Sequence, residues 1–341
     1  MNILVTGGAG FIGSNFIKFI LNKYQSYHVV NLDLLTYAGD LINLSDIVNS
    51  PNYTFVEGDI CNRALIEDLF KTYKFKAVIH FAAESHVDNS ISNPERFIKT
   101  NVNGTFTLLD VAKKFWLQAP HSEDKDFQGA RFHHISTDEV YGSLGEKGFF
   151  TENTAYAPNS PYSASKASSD MLVRSYFHTY GMNVVTTNCS NNYGPLQHDE
   201  KLIPTIIRNA LKGNTIPIYG DGKNIRDWLY VEDHCAAIDK VFHYGKAGET
   251  YLVGGDNEIR NIDIAEIICE QLDINYPHLL NEFQLNSFKK LIKYVEDRAG
   301  HDFRYAIDAS KLKSELQWQP KVTFTEGIQK TINYYSKKYL I

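Results

Sequence analysis

The stretch Thr6-Gly7-Gly8-Ala9-Gly10-Phe11-Ile12-Gly13 follows a short apolar run and opens a helical pattern, and it limits the folds open to this chain. Its G-x-x-G-x-x-G spacing is a variant of the dinucleotide fingerprint. Glycines at Gly7, Gly10 and Gly13 let the backbone turn tightly and approach a pyrophosphate, whose charge then sits at a helix N-terminus. Asp33 stands 20 residues after Gly13, at the end of the next β-rich run. A carboxylate there accepts bonds from ribose hydroxyls and repels a 2′-phosphate, so NAD is favoured over NADP. Asp59, after a third run, is a candidate adenine contact. Phe81-Ala82-Ala83-Glu84-Ser85, after a fourth, is small enough for close backbone approach to a cofactor.

The runs around these residues alternate. Strands are expected over Ile3–Thr6, His28–Leu32, Tyr53–Glu57, Ala77–Phe81, Arg131–Ile135 and Asn183–Asn188, with nearly continuous apolar character. Helical patterns fall at Gly13–Tyr24, Arg63–Tyr73, Pro94–Phe115 and Ser163–Tyr180, with Gly181 as a C-terminal cap and Gln118–Ala130 as a surface loop. This alternation predicts an α/β fold, a doubly wound parallel Rossmann-type sheet buried on both faces. A length of 341 residues leaves room for a second lobe. From Asn191 on, Pro and Gly punctuate short elements, with helices expected at Ile203–Lys212, Ile262–Leu272 and Phe324–Lys338. The expected division is residues 1–190 as the NAD-binding domain and 191–341 as a smaller, mostly helical substrate lobe, with Thr250–Val253 returning to the sheet.

Composition narrows the partners. A net charge of −6 argues against a nucleic-acid protein working through a general basic surface. No apolar run approaches the ~18 residues of a membrane span. The start breaks into glycines where a secretory leader would continue, which points to a cytoplasmic protein. Four widely spaced cysteines (Cys61, Cys189, Cys235, Cys269) suggest reduced, mostly buried side chains and no metal.

The chemistry lies in two further motifs. Tyr-x-x-x-Lys occurs three times, as Tyr162/Lys166, Tyr219/Lys223 and Tyr334/Lys338. Only the first follows a proline at a helix start, where a four-residue spacing sets both side chains on one face. It also comes 25 residues after Thr137, just past a strand end. A phenol titrates near pH ~10, so a base at this position needs help. A lysine ammonium and a positive nicotinamide ring both favour the phenolate. Beside Thr137 stand Asp138 and Glu139. Two carboxyls in a cleft can have their pKa values pushed apart, one left protonated as acid and one ionised as base. Plain alcohol oxidation has no need of such a pair; removing a proton from carbon and expelling water does.

Together these motifs resemble the extended short-chain dehydrogenase/reductase superfamily. Within it, His134-Ile-Ser-Thr-Asp-Glu-Val-Tyr-Gly142, Phe81-Ala-Ala-Glu-Ser-His-Val-Asp88, Tyr162-Ser-Ala-Ser-Lys166 and Asn188-Cys-Ser-Asn-Asn-Tyr-Gly-Pro195 resemble the dTDP-glucose 4,6-dehydratase family, over residues 1 to about 329. Related 4-epimerases lack the acid pair. GDP-mannose 4,6-dehydratases pair the threonine with glutamate differently and prefer NADP. The resemblance implies that Tyr162 takes the proton of the glucose 4-hydroxyl while hydride leaves C4 for NAD, with Thr137 bonding the 4-oxygen and Lys166 holding the nicotinamide ribose. Glu139 then removes the C5 hydrogen, Asp138 protonates the departing 6-hydroxyl, and hydride returns to C6. The product would be dTDP-4-keto-6-deoxy-glucose, on the way to deoxysugars such as dTDP-rhamnose.

The resemblance adds Phe11, Ile12, Thr36, Ile60, Thr100 and Asn192 to the cofactor set. On the substrate side it implies Ser85 and Asn191 at sugar and phosphate, Glu200-Lys201-Leu202 at the sugar, and Pro217-Ile218-Tyr219 as a nucleobase shelf. Arg226, Asn261, Asp297, Arg298 and His301 would serve the nucleotide. It also implies a homodimer joined through Pro94–Phe115 and Ser163–Tyr180. One departure is Asp297-Arg-Ala-Gly-His-Asp302, where the family has proline at position 299; a looser loop is expected there. Another nucleotide-sugar 4,6-dehydratase or a 4-epimerase, and a non-catalytic NAD-binding scaffold, remain the alternatives at this point.

Overall fold

The computed structural model describes residues 1–297 and 299–340. Seven parallel strands form its central sheet: β1 Asn2–Thr6, β2 His28–Asp33, β3 Tyr53–Glu57, β4 Ala77–His80, β5 Arg131–Thr137, β6 Val184–Cys189 and β7 Thr250–Val253. Their spatial order is β7-β6-β5-β4-β1-β2-β3. The chain therefore reverses direction across the sheet between β1 and β4, and the carboxyl ends on either side of that point leave a crevice where ligands bind in such sheets.

Both faces are covered, as the unbroken burial of β1, β4 and β6 requires. On one face Phe16, Ile17 and Ile20 of α1 (Phe11–Lys23) pack with Val231, Cys235 and Ile238 of the helix Val231–Tyr244. On the other, Ile66 and Phe70 of Arg63–Tyr73 meet Leu108 and Val111 of Thr105–Trp116 and Val173 of Pro161–Tyr180. A separate core joins Leu202–Leu211, Asn261–Asn275 and Phe324–Tyr339, built on Ile206, Ile268 and Ile332.

The expected strands and most helices lie where the sequence put them, and Gly181 caps its helix in the left-handed conformation at φ 71°. Three stretches differ. Pro94–Phe115 is not one α-helix: Pro94–Phe97 passes into a π-helical turn, Ile98–Gly104, before Thr105–Trp116. The buried Asn101 side chain explains the widened turn, because it leaves the helix to accept from Glu84 N at 2.8 Å and donate to Ser165 Oγ at 2.8 Å. Within 118–130 a small hairpin pairs Leu117–Ala119 with Ser122–Glu123, followed by a 3-10 turn at Lys125–Phe127. Val231–Tyr244 is a full helix where only punctuated chain was expected. All four cysteines are free. Among the described residues no helix is long and apolar enough to cross a membrane, and no cluster of His, Cys, Asp and Glu is placed to hold a metal.

Candidate active site

The glycine turn leaves β1 and enters α1 with Gly7 at φ 72°. A Cβ on Gly7 would stand 2.5 Å from Ala82 N, and one on Gly13 would stand 2.4 Å from the Gly7 carbonyl. Side chains are thus excluded where the backbone must approach a ligand and where the helix must close on the strand. Asp33 is nearly buried. Its two oxygens accept from Leu35 N and Ala9 N, each at 2.9 Å, so the carboxylate braces the glycine turn as well as facing the cleft. Burial raises its pKa, and the bonds from Leu35, Ala9 and Leu34 oppose that rise.

One cleft runs along the carboxyl ends of β1, β2, β4 and β5, and every residue expected to hold NAD lines it. Gly7, Gly10, Phe11, Ile12 and Gly13 form its floor. Asp33, Thr36, Asp59 and Ile60 form one end, and Phe81, Ala82, Ala83, Ser85, Thr100 and Asn192 form its sides. Thr137, Asp138, Glu139, Tyr162, Lys166, Asn191, Glu200 and Lys201 line the same cleft. The chemical groups and the cofactor cradle therefore share one space. The cradle fits a dinucleotide on its own terms: Cβ-free backbone at the turn, a helix N-terminus behind it and a carboxylate at the ribose end.

The chemical groups are positioned by two elements. Thr137 ends β5 and caps the next 3-10 turn, its Oγ1 accepting from Glu139 N at 3.3 Å. This turn folds Asp138 inward and leaves Glu139 half-buried. The helix Pro161–Tyr180 starts with a reciprocal Ser160–Ser163 capping box and proline in its first turn, which fixes Tyr162 and Lys166 at the cleft. Lys166 Nζ donates to the Ile135 carbonyl at 2.8 Å. Asn188 Nδ2 donates to the Thr137 carbonyl at 3.0 Å and ties β5 to β6 at the site.

Electrostatics acts strongly on one of the two acids. Burial, then Glu139 and Asp227, push the Asp138 carboxyl well above the ordinary carboxylate range, against opposing effects of Arg226 and Thr137. Asp138 Oδ2 is buried without a hydrogen-bond partner among the described residues. A cleft-lining acid pushed toward its protonated form, with one buried oxygen left unpartnered, is suited to donate a proton. For Tyr162 the chain alone runs against the sequence expectation. Burial, then Glu139 and Cys189, push the phenol well above its ordinary value, and only the Thr137 hydroxyl pulls it down. Lys166 gives little relief because its ammonium is turned to the β5 backbone and its own pKa is lowered by burial.

Sequence reasoning missed the group behind Lys166. Asp170, four residues on and on the same helix face, accepts from Ser136 Oγ and Tyr156 OH at 2.9 Å each and from Asn188 Nδ2 at 3.1 Å. His134 Nε2 lies 3.1 Å from its other oxygen, at ion-pair range but off the line of a hydrogen bond. Burial raises the Asp170 carboxyl, but His134, Lys166 and Ser136 more than offset it, and the net shift is downward. An ionised Asp170 thus anchors the Tyr162–Lys166 helix. The i,i+4 spacing from Lys166 was the available signal.

The other expected residues that the structure describes lie outside this cleft. Leu202 opens the helix Leu202–Leu211. Pro217, Ile218 and Tyr219 lie on the strand Ile216–Tyr219, paired with Ile292–Val295. The Tyr219 hydroxyl donates to Asp88 at 3.4 Å, and its ring stands edge-on to His301, which in turn meets Asp297 at 2.6 Å. Asn261 begins the helix Asn261–Asn275 with a buried Oδ1. Arg226 is almost wholly buried, its guanidinium over the Tyr305 ring at 4.2 Å and donating to the Asp302 carbonyl at 2.9 Å. Arg298 lies outside the described residues.

The family model described as GDP-mannose 4,6 dehydratase matches residues 4–331. A dTDP-glucose 4,6-dehydratase of Salmonella typhimurium is 53% identical, covering 98% of this chain and 92% of its own. The solved structure of dTDP-glucose 4,6-dehydratase from Bacillus anthracis in complex with NAD is 48% identical, with a TM-score of 0.84 over 99% of this chain and 97% of that one. The dTDP-glucose 4,6-dehydratase DesIV of Streptomyces venezuelae, solved with NAD bound, is 43% identical with a TM-score of 0.87, covering 99% of this chain and 97% of its own.

Proposed function

The chain belongs to the dTDP-glucose 4,6-dehydratase family, inside the broader dehydratase family whose model it matches, and we propose how its residues carry out that reaction. It is an NAD-dependent hydro-lyase that converts dTDP-glucose to dTDP-4-keto-6-deoxy-glucose and water, a step of deoxysugar biosynthesis. The observation that carries the assignment of roles is Asp138, pushed toward its protonated form with one buried oxygen unpartnered among the described residues, next to half-buried Glu139 in the same cleft as Tyr162.

NAD, when bound, accepts hydride from C4 and supplies it at C6. Tyr162 takes the 4-hydroxyl proton, and Thr137 bonds the 4-oxygen and steadies the tyrosine. Since the chain alone holds Tyr162 protonated, its ionisation depends on positive charge brought into the cleft beside it. Once C4 is a ketone, Glu139 removes the acidified C5 proton and Asp138 gives its proton to the 6-oxygen as water leaves. Glu139 then returns its proton to C5, and release of the proton held by Tyr162 balances reprotonation of Asp138, which restores the starting states. Tyr219, Asp297 and His301 take the nucleotide end, with Asn261 and Arg226 behind them, and Arg298 is assigned there by family resemblance. Residues 191–341 supply these groups as the substrate lobe.

A homodimer is part of this reading. Ile98, Phe106 and Met171 are 43–59% exposed on the π-turn, Thr105–Trp116 and Pro161–Tyr180, an apolar surface suited to a second copy. Sedimentation at several concentrations tests it, and a monomer throughout would refute it. Free cysteines and a nucleotide-sugar substrate suit a cytoplasmic enzyme.

The experiment is incubation of the purified protein with dTDP-glucose and no added reductant, followed by mass spectrometry. Loss of one water without net reduced cofactor is the expected result. Turnover of UDP- or GDP-sugars but not dTDP-glucose would overturn the nucleotide assignment. Glu139→Gln should still oxidise C4, seen as bound reduced nicotinamide, yet release no water; full dehydration by that variant would remove Glu139 as the C5 base.

A further inference from the structure

Two segments cross the mouth of the cofactor cleft, and each is held in a conformation that Cβ-bearing residues avoid. Residues 34–40 follow β2 and contain Leu35 at φ 53°; residues 194–201 contain Leu196 at φ 72°. Neither leucine is replaced by the glycine that a free loop would favour, so surrounding contacts must impose both conformations. The first segment is tied at its start to the end of β2, by Leu35 N to Asp33 at 2.9 Å, and at its far end to the glycine turn, by Asp40 N to the Ala9 carbonyl at 3.1 Å. The second is tied to α1 by Asn15 Nδ2 to the Pro195 carbonyl at 3.1 Å. The C-terminal helix holds it too, through Lys338 to Asp199 at 3.0 Å and the Tyr335 hydroxyl donating to the Gln197 carbonyl.

Between these anchors the segments meet. The Tyr37 ring stands edge-on to His198, with centroids 5.6 Å apart and planes at 88°. Glu200 on the second segment and Ser85 on the loop after β4 both act on the Tyr37 phenol, whose pKa is pushed up to about 12 chiefly by burial. His86 and His198 approach Glu200 at 3.7 and 3.6 Å and complete the bridge. Thr36, Gly39, Gln197 and His198 line the cleft directly beneath it.

We propose that Tyr37 and His198 form a clasp across the cofactor cleft that governs how slowly NAD leaves. The proposal rests on the redox-neutral reaction above. A cofactor that recovers its starting state in every cycle need not exchange, and a bridge that would obstruct an ordinary dehydrogenase costs this enzyme nothing. An edge-on aromatic contact between the two segments, with both histidines drawn to Glu200 beside it, is enough for a substantial kinetic effect.

The test uses the holoenzyme, with Tyr37→Ala, His198→Ala and the double variant. Release is followed by mixing with excess isotopically labelled NAD and weighing the cofactor that remains on the protein. Each single change should speed release by about tenfold or more, equivalent to ~1.4 kcal/mol. The double variant should be little faster than either single one, because both remove the same contact. Release at the parent rate in both single variants overturns the clasp. So does full multiplication of the two effects, which would mean two independently loosened loops. A parent protein that holds no NAD would sink the cofactor reading and the clasp with it.

Discussion

The cofactor cleft and the nucleotide end of this molecule are built by opposite means. The cleft is made at the ends of parallel strands, from residues adjacent in sequence: a glycine turn, Thr137-Asp138-Glu139 and one turn of helix from Tyr162 to Lys166. The nucleotide end is assembled from single residues on separate elements, with Tyr219 on one short strand, Asp88 on a helix of the first half and His301 on a loop. In the cleft the backbone fixes position, so one substitution should damage chemistry. At the nucleotide end several partners share the task, so one substitution should weaken binding and leave chemistry largely intact.

The sharpest test of the first half is Tyr162→Phe. The ring still packs edge-on against Phe97, so folding should survive, but the proton acceptor is gone. We expect kcat to fall by about 10³–10⁴-fold with KM changed little. A rise in KM with kcat preserved would place Tyr162 among the binding residues and collapse the contrast. Asp138→Asn comes next, at about 10²–10³-fold in kcat. Its pH profile adds a sign. Asp138 is needed protonated and its pKa is raised, so activity is present below that raised value and falls as pH climbs through it. The asparagine variant, having no proton to lose, should lack this alkaline limb. An unchanged limb would assign it to another group.

This difference in construction also decided what could be read from the sequence. Contiguous motifs at strand ends were legible because spacing alone, 20 residues from Gly13 to Asp33 or four from Tyr162 to Lys166, carries the geometry. The helix Val231–Tyr244 escaped because it leaves its strand with no side-chain cap at Tyr230, so the usual start signal is absent. Its apolar positions Val231, Cys235, Ile238 and Val241 did keep helical spacing. The π-turn at Ile98–Gly104 was unreadable for a deeper reason: the Asn101 side chain within it is bonded to Glu84 and Ser165, partners distant along the chain. Arg226 illustrates the limit at the nucleotide end. Resemblance suggested a phosphate fork, whereas burial over Tyr305 and bonding to the Asp302 carbonyl make it a brace for the 297–302 loop as well.

At the second region, Tyr219→Ala removes the ring facing His301 and the bond to Asp88. About a tenfold rise in KM for the nucleotide sugar is expected, with kcat within twofold. A collapse of kcat instead would show that the shelf positions the sugar for chemistry, and the two regions would then act as one. Competition by dTDP alone separates these outcomes, since it reads nucleotide affinity without the reacting sugar.

The smallest effect is expected at Ala299, and it probes how firmly the nucleotide loop is set. The far end of that loop is fastened: Asp302 accepts from Asn159 Nδ2 at 2.7 Å and from Tyr305 OH at 2.6 Å. Its near side is drawn in by the Asp297–His301 contact, across the turn that Gly300 makes at φ 66°. Exposed Ala299 sits between these ties, at a position where proline would fix φ near −65°. Restricting a loop residue in a compatible conformation is worth about 0.4–1 kcal/mol. Ala299→Pro should therefore lower KM by roughly two- to fivefold and leave kcat alone. An unchanged KM would mean that Asp302 and His301 already order the loop, and the alanine would be neutral. A raised KM would mean that the turn needs the backbone freedom or the N–H that proline removes, making position 299 an adaptation of this chain's own loop.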